Sequence, residues 1–140
     1  MQTLDKVLYT AHATALAGRD GKVKTDDGIL DVRVVPPKEL GGPGGATNPE
    51  QLFAAGYAAC FGSALGLVAK RMKLTPEHVT ITAHVKLGPV GQGYALAVEI
   101  VAELPGVPHE QAQAALEAAH QVCPYSNATR GNIAVDIRLA

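Results

Sequence analysis

The sequence has little charge, and neither sign is concentrated anywhere along it. Charged residues make up 18% of the 140 residues, with 12 Lys and Arg against 13 Asp and Glu. A groove that follows the phosphates of a nucleic acid needs clustered basic residues, so we expect no nucleic acid partner. Hydrophobic residues make up 47% of the chain, which is typical of a protein that forms a core and not of a disordered one.

Cysteine is scarce, and the usual metal-binding spacings are missing. The five histidines contain no HExxH pattern, and neither Cys60 nor Cys123 belongs to a CxxC motif, so a zinc site has little support. The N-terminus lacks the basic start and apolar block of a secretory signal. We therefore expect a cytoplasmic protein, in which lasting structural disulfides are rare. Three interpretations of the two cysteines stay open: reduced core residues, metal ligands or redox groups.

One long stretch has no formal charge. Residues 51–69, "QLFAAGYAACFGSALGLVA", are numerous enough to cross a bilayer as a helix. The stretch lacks an aromatic belt and a clear positive flank, so we expect no membrane span and interpret it as a core helix buried on all sides. Asn48 suits the N-cap of this helix and Pro49 its first position, and Thr75-Pro76 ends it near Lys73.

Alternating patterns predict strands on both sides of this helix. Residues 6–35 predict a three-stranded meander with Arg19 at the tip of its first hairpin, and the Pro- and Gly-rich residues 36–45 predict a loop or lid. Two strands joined by a turn over 88–93, an alanine-rich helix over about 108–122 and a last strand follow. The order β-β-β-α-β-β-α-β predicts an α+β fold with antiparallel sheets on a long central helix, in one domain over residues 1–140.

Taken singly, the candidate functional residues all have ordinary explanations. Cys60 can be a small hydrophobe in a helix of Ala and Gly, whereas Cys123 lies at a helix end before Pro124, where we expect a more exposed sulfur. Arg19 can be a solvated surface charge, and Glu50 is favoured by the helix dipole alone. The polar residues after Pro124 look like turn formers. The residue types therefore give two candidate thiols and no reaction.

Two motifs resemble a known family. "NPEQLFAAGYAACF" at 48–61 and "VCPYSNATRGNI" at 122–133 are similar to the organic hydroperoxide resistance proteins, the Ohr branch of the Ohr/OsmC group. The resemblance covers essentially the whole chain, and the second motif is the one specific to this branch.

The resemblance implies a thiol peroxidase with no bound cofactor or metal. It implies that Cys60 is the peroxidatic cysteine, that Cys123 resolves it as a disulfide, and that Arg19 and Glu50 organise the reactive thiolate. The implied substrates are alkyl and fatty-acid hydroperoxides, and the implied reductant is the dihydrolipoyl group of a carrier protein. The family is also an intertwined homodimer with the active sites near the subunit interface.

Helix geometry limits the role of Glu50. Ten residues of straight helix separate Glu50 from Cys60 by about 15 Å, so the two cannot touch along one unbroken helix. We expect either a break near Gly56 or a Glu50 supplied by the second subunit. Other readings also stay open: an OsmC-type peroxidase with broader peroxide preference, a non-catalytic redox sensor, or a ligand-binding module with passive thiols.

Overall fold

The computed structural model describes all of residues 1–140. It contains, in chain order, β1 (Ala13–Leu16), β2 (Gly21–Thr25), β3 (Asp31–Val34), a 3-10 turn (Lys38–Leu40), α1 (Pro49–Arg71), β4 (Thr80–Val90), β5 (Gly93–Glu103), α2 (His109–Val122), α3 (Pro124–Thr129) and β6 (Val135–Leu139). The chain divides into two compact units, Met1–Pro49 and Glu50–Ala140. The single domain over residues 1–140 stays a prediction.

The first unit contains the predicted meander. Its strands lie in the order β1-β2-β3 and both pairs are antiparallel. The first strand is shorter than predicted, because β1 begins only at Ala13; the carbonyl of His12 just before it accepts from the amide of Asp26 at 3.2 Å. Arg19 lies in the turn between β1 and β2, as predicted, where Ala17 and Gly18 have positive φ angles of 59° and 55°.

The Pro- and Gly-rich segment is a loop with one helical turn inside it. The 3-10 turn over Lys38–Leu40 ends at Gly41, whose φ of 80° lies in the left-handed region that glycine adopts without strain. The amide of Gly41 donates to the carbonyl of Lys38 at 2.9 Å. The predicted loop over 36–45 is therefore confirmed, and a function as a lid stays a prediction.

Helix α1 is continuous from Pro49 to Arg71, so the predicted break near Gly56 is wrong. It ends as expected, because Lys73 adopts a φ of 57° and the amide of Leu74 returns to the carbonyl of Ala69 at 2.9 Å. By length and composition alone α1 is also long enough and apolar enough to cross a membrane.

The prediction that α1 is buried on all sides is wrong for the single chain. Its buried residues form one face, whose members recur at helical spacing: Tyr57, Phe61, Ala64, Leu65, Val68 and Ala69. The opposite face is exposed and consists of small and apolar residues, among them Ala55, Ala59, Ser63 and Leu67.

The second unit contains the sheet β4-β5-β6. Strands β4 and β5 form a hairpin paired from Thr80↔Glu103 to Val90↔Gly93, so the connecting turn is only Gly91-Gln92 and not the six residues predicted. Strand β6 pairs with β5 in parallel, which corrects the prediction of antiparallel sheets. The parallel pairing follows from the crossover, because α2 and α3 carry the chain back before β6 begins.

The core of the second unit joins α1 and α2 to the inner face of this sheet. Its fully buried side chains include Leu65 from α1, Ile100 from β5 and Leu116 from α2. Gly62 of α1 lies over the sheet, since a Cβ there would meet Ile81 Cγ1 at 3.4 Å. The predicted α+β class with a long helix packed on a sheet is confirmed.

Candidate active site

The face of α1 that carries Cys60 is an extension of the helix's core face. Phe53, Tyr57 and Cys60 follow one another at spacings of four and three residues, which places them one above another on the helix. Cys60 is partly exposed, whereas Tyr57 is fully buried. The helix therefore presents one accessible sulfur at the border of the core.

The two cysteines face each other. Cys123 Sγ lies 3.6 Å from Cys60 Sγ, and both thiols are reduced. A disulfide bond is about 2.05 Å long, so the sulfurs must approach by roughly 1.5 Å to bond. The fold has thus brought together two thiols that are far apart in sequence, at a separation that a small shift of one helix end can close.

Cys123 is held at a junction between two helices. It is the C-cap of α2 and also the N-cap of α3, with φ −66° and ψ 122°. Pro124 explains this geometry, because a residue before proline avoids the helical region while proline itself suits the first turn of a new helix. The residues predicted to form a turn after Pro124 therefore form α3 instead.

The exposure of the two sulfurs is the reverse of the prediction. Cys123 has 0% exposure, although it lies at a helix end, and Cys60 is the more accessible of the pair. The reason is packing, since Cys123 continues the buried stripe of α2 formed by Ala112, Ala115, Leu116 and Ala119.

The surroundings of Cys60 disfavour its charged form. Burial raises the pKa of the Cys60 thiol above its ordinary value, and the neighbouring Cys123 raises it further. A hydrogen bond from the backbone amide of Tyr125 acts in the opposite direction and lowers the pKa. Tyr125 is in the first turn of α3, where amide groups have no partner within the helix and are free to bind an anion.

Three aromatic rings pack beside the thiols. Phe53, Tyr57 and Tyr125 form a triangle with ring centroids 5.7 to 5.9 Å apart. Gly56 lies under this triangle, because a Cβ at that position would meet Tyr125 Oη at 3.0 Å. Gly56 therefore serves close packing of Tyr125 against α1 and does not break the helix.

Three buried hydroxyl groups connect α1 to α3. Tyr57 Oη lies 2.9 Å from Ser126 Oγ and 3.2 Å from Thr129 Oγ1. Thr129 Oγ1 also donates to the carbonyls of Tyr125 and Ser126, at 3.0 and 3.2 Å. All three side chains are buried, with exposures of 0%, 0% and 6%.

A cavity of about 740 Å³ opens on the outer side of the aromatic triangle. Phe53 and Tyr125 belong to its wall, and so do Val90, Tyr94, Ala95, Leu96, Ala128, Thr129, Asn132 and Ile133. The lining is mostly apolar, which suits a carbon chain better than a small polar molecule. Phe61, which lies next to Cys60 in sequence, is fully buried in the core and does not line this cavity.

An arginine braces the junction between α2 and α3. The guanidinium of Arg130 donates to the carbonyl of His120 and, at 2.8 Å, to Asn127 Oδ1. His120 Nδ1 is buried without a hydrogen-bond partner. Burial lowers the pKa of His120, and the charge of Arg130 lowers it further, so neutral imidazole is favoured beside this brace.

The remaining predicted site residues lie in different parts of the chain. Arg19 belongs to the first unit, in the hairpin turn, and Glu50 is the second residue of α1. Because α1 is unbroken, ten residues of helix separate Glu50 from Cys60 by about 15 Å. The roles of Arg19 and Glu50 stay predictions. No group of three or more His, Cys, Asp or Glu side chains is arranged to hold a metal ion.

Comparisons with known proteins agree on one family. A family model described as OsmC-like protein matches residues 42–138. The chain is 51% identical over 142 aligned positions, 100% of both sequences, to the organic hydroperoxide resistance protein of Xanthomonas axonopodis pv. citri. It is 46% identical over 134 positions, 94% of each sequence, to an organic hydroperoxide resistance protein-like relative from Staphylococcus aureus.

The chain belongs to the OsmC-like family, in its organic hydroperoxide resistance branch. Solved structures support the fold: the organic hydroperoxide resistance protein OsmC of Legionella pneumophila superposes with a TM-score of 0.93 at 49% identity, covering 96% of this chain and 99% of that one. The corresponding protein of Bacillus subtilis gives 0.87 at 43% identity, with coverage of 96% and 100%.

Sequence reasoning missed several residues of this family member's site. Tyr57 is one helical turn before Cys60 on the same stripe, so its position was visible, but its burial and its hydroxyl partners were not. Ser126 and Thr129, which the sequence predicts to lie in a turn, are buried residues of α3. Their spacing of three residues after a proline is the signal that could have indicated one face of a short helix.

We expect the Cys123→Ala substitution to lower the pKa of Cys60, because it removes the neighbouring thiol that raises it. The measurement is the rate of Cys60 alkylation by iodoacetamide as a function of pH, which should rise at lower pH in the variant than in the parent. Cys60→Ala is the control, since the buried Cys123 should then alkylate slowly. An unchanged or higher Cys60 pKa in Cys123→Ala would contradict this account of the site.

Proposed function

We propose that this chain reduces organic hydroperoxides to alcohols through a transient disulfide between Cys60 and Cys123. The observation that carries the proposal is the 3.6 Å separation of the two reduced sulfurs, one of them accessible and one buried. The names of the relatives support the substrate class, because both the Xanthomonas and the Legionella proteins are described as organic hydroperoxide resistance proteins.

The proposed reaction has three balanced steps. The Cys60 thiolate attacks the outer oxygen of ROOH, the O–O bond breaks, and RO⁻ leaves and takes up a proton to become ROH. Cys60 is then a sulfenic acid, and the Cys123 sulfur displaces its hydroxyl as water to form the disulfide. An external dithiol supplies two electrons and two protons by thiol exchange, which returns both cysteines to thiols.

The first step needs a cation, because burial raises the pKa of Cys60. We propose Arg19 as that cation: a guanidinium is always charged and offers several donors, so it can face a thiolate and a carboxylate at once. Glu50 is too far along α1 to touch Cys60 itself. Its proposed role is to hold the Arg19 guanidinium in place, from the same chain or from a second subunit.

The apolar cavity is the proposed site for the carbon part of the hydroperoxide. Tyr125 connects it to the reaction, because its ring lines the cavity while its backbone amide bonds the Cys60 sulfur. A hydroperoxide with an alkyl chain buries apolar surface there, whereas hydrogen peroxide has none to bury. The relative from Vibrio cholerae, 48% identical, binds captopril in one of its active sites.

The proposed reductant is a dihydrolipoyl group on a carrier protein, as the family resemblance implies. Cys60 is the only accessible sulfur of the pair, so the external dithiol must attack Cys60 and release Cys123 as the leaving thiolate. A long flexible arm that ends in a dithiol suits an attack at a partly buried sulfur.

A homodimer is also proposed, on the basis of unpartnered apolar surface in each unit. In the first unit, Leu4, Val7 and Leu8 lie in a segment outside any strand, with exposures of 80%, 65% and 86%. In the second unit, the exposed face of α1 carries Leu67 among Ala, Ser and Gly. Exposed apolar patches mark protein interaction sites, and a second copy of the chain is the proposed partner that covers these residues.

The test of the proposed activity is turnover of cumene hydroperoxide with dihydrolipoamide, glutathione or thioredoxin as the reductant. We expect turnover with dihydrolipoamide, loss of activity to background in Cys60→Ser, and slower turnover with accumulation of the Cys60 sulfenic acid in Cys123→Ser, because only the external dithiol can then resolve it. Full peroxide consumption by Cys60→Ser would defeat the proposal. Equal turnover of hydrogen peroxide would favour the broader OsmC-type preference, and activity with thioredoxin alone would defeat the proposed reductant.

We expect Arg19→Ala to raise the pKa of Cys60 by about one unit or more, because a nearby cation stabilises the thiolate. A higher pKa reduces the thiolate at neutral pH, so kcat/KM should fall by about tenfold there and recover as the pH rises. Arg33→Ala, which removes an exposed arginine from the same small sheet, is the matched control. A parent-like pH profile in Arg19→Ala would remove Arg19 from the mechanism.

We expect the protein to sediment as a dimer in analytical ultracentrifugation. Leu67→Asp places a charge on the exposed apolar face of α1 and should shift the population towards the monomer, because a buried unpaired charge is costly. Gln111→Asp adds the same charge at an exposed position near the start of α2 and should leave the dimer intact. A monomer at all concentrations of the parent protein would exclude the proposed homodimer.

A further inference from the structure

The buried hydroxyls of Tyr57, Ser126 and Thr129 form a hydrogen-bonded hydroxyl chain. Which group donates in each bond follows from counting the hydroxyl protons. Ser126 is fully buried, and the Tyr57 hydroxyl is the partner of its hydroxyl group at 2.9 Å. Thr129 uses its own proton on backbone carbonyls of α3. Each hydroxyl has one proton to donate and two lone pairs to accept with.

Only one assignment of donors and acceptors gives each of the three hydroxyl protons an acceptor and accounts for both contacts of Tyr57. Since Thr129 donates to the backbone, its contact with Tyr57 requires Tyr57 to donate to Thr129. Tyr57 has then spent its only proton, so its contact with Ser126 requires Ser126 to donate to Tyr57. Donation in the hydroxyl chain therefore runs from Ser126 to Tyr57, from Tyr57 to Thr129, and from Thr129 to the carbonyl of Tyr125.

The hydroxyl chain ends on Tyr125, the residue whose backbone amide also contacts the Cys60 sulfur. The backbone of Tyr125 offers its carbonyl to Thr129 and its amide to Cys60. The Tyr125 ring packs closely on Gly56, where an added Cβ would lie 3.0 Å from Tyr125 Oη and would force the ring to shift by a few tenths of an ångström. Cys123 is two residues before Tyr125, at the start of the same short helix, so whatever fixes α3 also fixes the resolving sulfur.

We propose that Tyr57, Ser126 and Thr129 are positioning residues that hold α3 against α1, so that the Tyr125 amide and the Cys123 sulfur both face Cys60. None of the three hydroxyls needs to touch the peroxide. The proposal deepens the proposed function, on which its catalytic meaning rests, but the positioning itself is measurable without any peroxide.

The first test is the Tyr57→Phe substitution, which removes the middle of the chain and leaves the Ser126 hydroxyl without its acceptor. The reduced protein is oxidised by glutathione disulfide: Cys60 forms a mixed disulfide with release of one glutathione, and Cys123 then closes the protein disulfide with release of the second. We expect the closing step to slow by about tenfold, because one or two buried hydrogen bonds no longer hold α3.

The second readout separates positioning from simple stability. The pH dependence of Cys60 alkylation should move to higher pH in Tyr57→Phe, because the Tyr125 amide no longer supports the thiolate as well. Cys123 is the titratable neighbour of Cys60, so the comparison is repeated in the Cys123→Ala background. A merely structural role for Tyr57 would lower the denaturation midpoint and leave both the closing rate and the alkylation profile of the folded protein unchanged, and that result overturns the proposal.

Two further variants keep the test informative. Ser126→Ala removes only the first donor and leaves the bond between Tyr57 and Thr129, so it should show the same changes in smaller size. It also replaces Tyr57→Phe if the latter does not fold. Tyr9→Phe removes a tyrosine hydroxyl from an exposed position and should match the parent in both readouts. If Ser126→Ala and Tyr57→Phe both behave like the parent protein, the positioning role of the hydroxyl chain is excluded.

These experiments test the positioning role of the hydroxyl chain separately from the proposed peroxidase activity. If the parent does not reduce cumene hydroperoxide but Tyr57→Phe still slows disulfide closure and shifts the alkylation profile, the proposed function fails and the positioning role stands. If the parent reduces cumene hydroperoxide and Tyr57→Phe changes neither readout, the function stands and the positioning role fails.

Discussion

The contact between the two sulfurs is the interaction on which the rest of the site depends. Cys60 and Cys123 come from different helices, and 3.6 Å between their sulfurs requires the junction of α2 and α3 to pack closely on α1. Small residues make that approach possible, because Gly56 accepts the Tyr125 ring and alanines line the buried stripe of α2. A larger residue at either place would push α3 or α2 away from α1 and so increase the distance between the sulfurs.

The site balances two opposed requirements. Nearness to the core buries Cys123 and places the pair beside an apolar cavity, but burial raises the pKa of Cys60 and so disfavours its thiolate form. The Tyr125 amide offsets part of this cost from within the second unit. The remainder is the reason for proposing a cation, since an amide dipole is a weaker partner for a thiolate than a full positive charge.

The sequence predicted the elements better than their assembly. Asn48, Pro49 and the proline after Thr75 bounded α1 correctly because caps and prolines act locally. The parallel pairing of β6 was missed because an alternating pattern is the same for either strand direction. Helix α3 was missed because Pro124 ends one helix and begins another. The two thiols were identified as a pair by family resemblance. Which of them is buried depended on tertiary packing, which the sequence pattern does not show.

The burial of Cys123 has a chemical consequence for the order of events. A fully buried sulfur is shielded from peroxides and external thiols, so it is available only to a partner that the fold brings to it. Cys60 is that partner, and it is also the only sulfur of the pair that solvent reaches. The unequal exposure therefore supports the proposed division of roles independently of any pKa value: in that proposal the accessible sulfur meets the peroxide and the dithiol, and the buried one acts after it. A site with the exposures exchanged would lose this order, because the resolving thiol would react first with whatever entered.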